Sequence, residues 1–287
     1  MTITIIGGGI IGLTTAFELT ERGESVHLID AETSDYGTAA DGTALYPAAS
    51  HYAGGMLAPI AEVQFQQDAL FPLMTASADA YPSLMGRLSR ATDLPTGYDT
   101  TGTLIIAADR ADAEHLQRTR VYYRDMNRPA DPVTPTQART LEPLLAPRIA
   151  GAVSIPSDHQ LHPRLMRRAL KDALTRRGVT FSAERVTDPD AGDIICTGLG
   201  ATLHGDYPLR PVYGDILRLR APRPILKHVV RGYVNSRPVY LIPRPDGELC
   251  IGATSREDHR TLPAIDGVHQ LLRDAIRLVP AVEECEL

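Results

Sequence analysis

The first thirty residues restrict the fold of this chain more than any other stretch. Thr2-Ile3-Thr4-Ile5-Ile6 is a β-rich run that flows into Gly7-Gly8-Gly9-Ile10-Ile11-Gly12, which fits G-x-G-x-x-G at Gly7, Gly9 and Gly12. Apolar residues then recur at helical spacing, at Leu13, Ala16, Phe17 and Leu19, up to a capping glycine at Gly23. Ser25-Val26-His27-Leu28-Ile29 reads as a second strand ending on Asp30, 18 residues past Gly12. A glycine motif alone also describes an ordinary flexible loop. With strand, helix, strand and acid in register, it predicts a βαβ dinucleotide-binding unit. Gly7 permits the tight turn, Gly9 lets the backbone approach a pyrophosphate, and Gly12 lets the helix pack close to the strand. The phosphates then sit at the helix N-terminus, beside Ile10 and Ile11. Asp30 can accept hydrogen bonds from the ribose hydroxyls, which disfavours a 2′-phosphate and so NADP. The fingerprint does not separate FAD from NAD.

Bulk properties narrow the class. A chain of 287 residues supports two domains, or one threaded through another. The net charge of -6 without long Lys or Arg runs excludes an electrostatic footprint for nucleic acid. Cys196, Cys250 and Cys285 lie far apart, which argues against a disulfide framework and a thiolate zinc site and for a reducing, cytoplasmic setting. The N-terminus enters an apolar strand without a basic leader, and no stretch approaches the ~20 apolar residues of a membrane span.

The rest of the chain is similar to a known family, the D-amino-acid-oxidase-like flavoenzymes, and within it to the glycine oxidases of thiamine biosynthesis. The most specific match is Ser50-His51-Tyr52-Ala53-Gly54-Gly55-Met56-Leu57-Ala58-Pro59, followed by Glu62. The resemblance implies FAD, with Ala53, Gly54, Gly55, Met56 and Leu57 beside the flavin diphosphate and ring; a small-residue packing loop is the plain structural alternative. Gly102-Thr103-Leu104 and Leu141-Glu142-Pro143 match the family without carrying chemistry. Asp193 to Ala201, a strand ending in a glycine turn, resembles a second cofactor-contacting segment and implies roles for Thr197 and Gly198; a core strand and turn explain it equally well. Val186 corresponds to a residue that meets adenine through its backbone. Between Glu32 and Ser50 the chain departs from the pattern, with Asp35 to Tyr46 reading as an insertion that bulges outward.

The expected fold class is α/β: a Rossmann-like FAD-binding domain from residues 1–90 and 151–205, and an α+β substrate domain from 91–150 and 206–287 on a mostly antiparallel sheet. A helix is predicted from Gln66 to Ala91, kinked at Pro82. Arg164 to Arg177 reads as an amphipathic helix with Leu165, Ala169 and Ala173 inward and Arg167, Arg168 and Lys171 in solvent. Beyond Arg210 the pattern is antiparallel β, with a hairpin of Val239–Pro243 and Leu249–Ala253 about the turn Arg244-Pro245-Asp246-Gly247. Asp215, Arg218 and Arg220 alternate along a strand and read as solvent-facing, and Asp266 as the cap of a last helix.

Tyr240 is the candidate substrate-side residue. In the family a tyrosine at the matching place points into the pocket above the flavin, where its hydroxyl can meet a substrate carboxylate; a core tyrosine bonded to backbone is the alternative. The two histidines of Asp158-His159-Gln160-Leu161-His162 lack a further ligand cluster, so no metal site is expected. Arg244, beside Pro245, reads as a solvated turn residue. The resemblance implies oxidation of glycine or a similar small amino acid with O2 as acceptor and release of peroxide, feeding thiazole synthesis for thiamine, in a homo-oligomer without nucleic-acid or membrane partners. The alternatives are a dehydrogenase of the same fold that uses a carrier, and a catalytically silent flavin-binding fragment. The chain stops at Val282-Glu283-Glu284-Cys285-Glu286-Leu287, where chains it resembles continue through a segment carrying an arginine for the substrate carboxylate, and turnover is expected to need that segment.

Overall fold

The structure is a computed structural model that describes residues 1–31, 48–63, 69–125, 129–200, 209–258 and 262–287. The insertion at Asp35 to Tyr46, the Gln66 start of the long helix and Ala201 lie outside the described residues. The chain divides into two compact units, one of residues 1–55, 82–97 and 162–211, the other of 56–81, 98–161 and 212–287.

The first unit is built on a four-stranded parallel sheet in which β1 (Thr2–Ile6) lies between β2 (Ser25–Asp30) and β9 (Ile194–Ile195), with β8 (Thr180–Ala183) outside β2. The crossover helix α1 (Ile10–Glu21) buries Gly12, Leu13, Ala16 and Phe17 and packs against α6 (Pro163–Arg176). Gly23, at φ +84°, takes the left-handed backbone that follows the helix, as its residue type predicts. Along α6 the buried stripe is Met166, Ala169, Leu170, Ala173 and Leu174. Arg167 is also buried, contrary to the solvent-facing reading, since it lies three and seven residues before the buried Leu170 and Leu174 on the same helical face. The short helix α2 (Ala49–Tyr52) completes the described part.

The second unit carries a seven-stranded sheet ordered β10-β13-β12-β11-β4-β6-β5, antiparallel except where β11 meets β4. These strands are β4 (Thr103–Ala107), β5 (Asp131–Val133), β6 (Gly151–Ile155), β10 (Ile216–Arg220), β11 (Val229–Val234), β12 (Arg237–Pro243) and β13 (Glu248–Gly252). Alternation along the strands gives the sheet two buried faces. On one, Leu104, Ile106, Val230, Leu241 and Ile251 share a core with Leu271, Ala275 and Leu278 of α7 (Ile265–Leu278). On the other, Ile105, Ala107, Val153 and Ile155 pack with Ala58, Ile60, and Leu116 and Tyr123 of α4 (Arg110–Asp125). The turn between β11 and β12 holds Asn235 and Ser236 at φ 51° and 62°, as a tight hairpin requires. Their N–H groups donate to the buried Asp112 carboxylate, at 3.1 and 2.7 Å. The capped helix α5 (Pro135–Leu141) and the two-stranded pair β3 (Met56–Leu57) with β7 (His159–Gln160) complete the unit.

Several expectations change. The unit boundaries differ from those read in the sequence: 56–81 and 151–161 belong to the sheet-bearing unit, because β3 pairs with β7 and β6 pairs with β4. The long helix α3 (Phe71–Ala91) contains Pro82, in agreement with the expected span. Asp266 lies in the first turn of α7, whose N-cap is Ala264. Asp215 is buried rather than solvent-facing, since its carboxylate accepts from Arg256 Nε and Nη2 at 3.2 and 3.1 Å and from Thr254 Oγ1 at 2.8 Å. No helix among the described residues is long and apolar enough to cross a membrane.

Candidate functional site

In the first unit Gly7, Gly9, Gly12, Asp30 and Thr197 lie at the C-terminal edge of the parallel sheet, where β1 passes into α1. Gly7 turns the chain at φ +107°, and its neighbour across the sheet is the β9 exit, where Cys196 N–H donates to Ile6 O at 2.7 Å. A Cβ on Gly7 would overlap Cys196 O, and one on Gly12 would overlap Gly7 O, so both positions are closed to side chains by backbone. Gly9 differs. Among the described residues a Cβ there would meet Ser50 Oγ at 3.5 Å and Ala48 Cβ at 3.9 Å, ordinary contacts, so none of them excludes a side chain at the helix N-cap. The first turn of α1 contains no acid, and Gly9 offers no capping side chain. Ile10 N–H donates instead to Ser50 Oγ at 3.2 Å, and Ile11 stands exposed.

Asp30 ends β2 beside this turn. Its Oδ2 accepts the Gly8 N–H at 2.7 Å, so the acid also holds the glycine loop in place. Thr197 follows β9, and its Oγ1 is buried without a hydrogen-bond partner among the described residues. Gly198 takes φ +57°, and no described residue stands where its Cβ would be. Ala53 closes α2, Gly54 is buried and Gly55 takes φ +85°. Val186 is half-buried in the irregular segment after β8. A glycine N-cap, a helix first turn without an acid and, among the described residues, a buried hydroxyl without a partner, all at a sheet's C-terminal edge, suit a dinucleotide diphosphate.

In the second unit, Met56 and Tyr240 belong to one small apolar cluster. They pack with Ile216 around the buried Val229, Ile242 and Cys250. Tyr240 is half-buried, and burial pushes its hydroxyl well above the usual tyrosine range, so it stays a neutral donor. Opposite it on β11 is Arg231, whose Nη1 donates to Glu62 Oε1 at 2.8 Å.

The Met56–Leu57 segment is held from behind by residues to which the sequence pattern gives other roles. Met56 pairs with Gln160 and Leu57 with His159. Arg244 is not a solvated turn residue: it is buried, and Nη1 donates to Gln160 Oε1 and to Leu161 O, both at 2.9 Å. Further along, the buried Asp158 carboxylate accepts from Ile60 N at 3.3 Å and Ala61 N at 2.7 Å. Asp158, His159 and Gln160, part of the two-histidine motif in the sequence, thus anchor the segment that carries Met56 and Leu57. His159 Nδ1 is 2.8 Å from the Tyr98 hydroxyl, and burial lowers its affinity for a proton.

The profile of the FAD dependent oxidoreductase family, DAO, matches residues 2–286. The chain belongs to this family. FAD is therefore its cofactor, and the glycine turn leading into α1 is compatible with that group. The oxidoreductase is similar to the glycine oxidase of Geobacillus kaustophilus, at 30% identity over 99% of this chain and 78% of that protein. It is 29% identical to the bifunctional protein ThiO/ThiG of Nostoc, over 98% of this chain but only 44% of that one. The crystal structure of the Geobacillus glycine oxidase superposes with a TM-score of 0.81 at 28% identity, over 99% of this chain and 79% of that chain. Glycine oxidase from Bacillus cereus has the same fold, with a TM-score of 0.81 at 22% identity.

Proposed function

We propose that the protein is an amino-acid oxidase acting on glycine or a similar small amino acid, and that it serves thiamine biosynthesis as its ThiO-named relatives suggest. The observation that carries the reading is the Tyr240–Met56 cluster, standing in a chain 30% identical to a glycine oxidase over 99% of its length. Gly7, Gly9, Ile10, Ile11, Gly12 and Asp30 would hold the ADP half of FAD, with Val186, Thr197 and Gly198 beside it, while Ala53, Gly54, Gly55, Met56 and Leu57 would line the flavin half. Bound FAD supplies a two-electron acceptor for the hydride leaving the substrate α-carbon.

The protein's own share is orientation. The neutral Tyr240 hydroxyl donates to the substrate carboxylate, Met56 limits the room beside it, and the Asp158–Gln160–Arg244 anchors keep Met56 at a fixed height. The amine loses two electrons and two protons overall to become the imine, which water hydrolyses, and O2 accepts them as peroxide. One methylene in such a pocket changes selectivity by only ~1–3 kcal/mol, so glycine, sarcosine and D-alanine are neighbouring substrates.

The test is acceptor stoichiometry. The FAD-loaded protein should form one peroxide per glycine consumed under air. Turnover that needs an added electron carrier would make it a dehydrogenase instead.

A further inference from the structure

Tyr240 owes its direction to the residue across the strand from it. The register of β12 and β13 sets Tyr240 opposite Gly252, and directly opposite residues present their side-chain positions on the same face. A Cβ built on Gly252 would lie 2.5 Å from Tyr240 Cζ and 2.8 Å from Cε2, and would overlap the hydroxyl oxygen. The outer half of the ring therefore rests on the bare Cα of Gly252. A positive φ is not the reason for glycine here, as it is at Gly7, Gly55 and Gly247. On the opposite flank the cross-strand neighbour is the buried Arg231, held by Glu62, so the ring leans toward β13, where the place is empty.

We propose that Gly252 is a positioning residue for the substrate: by leaving its side-chain place vacant it sets the direction of the Tyr240 hydroxyl, and so the fit of a small amino acid's carboxylate. This rests on the reading of Tyr240 as the substrate-side residue. Any side chain at Gly252 tilts the ring off β13. A shift of about 1 Å in a group that orients substrate changes rate or affinity on the order of 10²-fold.

The experiment compares wild type, Gly252→Ala, Tyr240→Ala and the double variant as FAD-loaded proteins, with crystal structures and anaerobic flavin reduction by glycine. The expected result is a displaced Tyr240 hydroxyl in Gly252→Ala, unchanged FAD content, and a glycine KM raised on the order of 10-fold or more. In the Tyr240→Ala background, Gly252→Ala should then change the KM by no more than about 2-fold, because the partner through which it acts is gone. An undisplaced hydroxyl overturns the role of Gly252 whatever the kinetics. A displaced hydroxyl with an unchanged KM overturns it through the Tyr240 reading, which fails separately and visibly. Should Gly252→Ala not accumulate as folded protein, the double variant decides: recovery on removing the ring supports the contact, and continued loss refutes it.

Discussion

Replacing Asp158 by asparagine should flatten the pH dependence of stability in the sheet-bearing unit. Asp158 is fully buried, and burial pushes its carboxyl up from 3.8 to about 7 against the opposing pull of the Ala61 and Ile60 N–H groups. Glu62 raises it further and Arg231 lowers it. The folded protein thus keeps a proton that the unfolded chain has released, so the neutral carboxyl's contribution is full below pH 3.8 and is lost as pH rises through about 7. Inside that window stability falls by ~1.4 kcal/mol per pH unit, and the part lost between pH 5 and pH 7 is about 2 kcal/mol. The asparagine of the Asp158→Asn variant retains one acceptor for the Ala61 or Ile60 N–H and cannot titrate. At pH 5 the Asp158→Asn protein should be less stable by about 1–3 kcal/mol, the worth of one buried bond lost. By pH 7 that gap should close by about 2 kcal/mol. Urea unfolding of both proteins at the two pH values measures this, since titrating groups that do not interact with Asp158 cancel in the difference. A gap that stays constant would refute the titration of Asp158 in this window.

Gly9→Val should fold and lose FAD, because the described residues leave room for a side chain at Gly9 that the diphosphate would need; flavin absorbance after gel filtration and circular dichroism report the two effects separately. Gly12→Ala should instead fail to fold, since its Cβ would overlap Gly7 O, and soluble yield checks it. Arg244→Met should destabilise the protein by about 2–6 kcal/mol, as Gln160 Oε1 and Leu161 O lose their buried donor, with urea unfolding as the measure. Tyr240→Phe should weaken glycine binding or slow flavin reduction while leaving the flavin spectrum intact, which anaerobic stopped-flow titration resolves.

The parts legible in the sequence are those where residue type dictates backbone locally. The glycine turn at Gly7, the helix end at Gly23 and the hairpin turn closing at Gly247 each need a left-handed or crowded backbone, and each is where the pattern places it. Counting back from that turn also sets Tyr240 opposite Gly252. What is not legible depends on distant partners. Arg244 sits in a turn, yet residues 83 and 84 positions away bury it. Asp215 alternates like a solvent-facing residue until Arg256 and Thr254 cover it. β3 and β7 are two residues each, too short for any periodicity, and their pairing moves the unit boundary. Ser50 reads as part of a small-residue loop, while its reach to Ile10 N spans 40 residues.

The central claim is tested most directly by the visible spectrum of the FAD-loaded protein before and after glycine is added without oxygen. The account predicts loss of the oxidised-flavin band, its return on admitting air, and peroxide formed in step. An oxidised spectrum that survives glycine, sarcosine and D-alanine alike, in protein that retains its FAD, would contradict it.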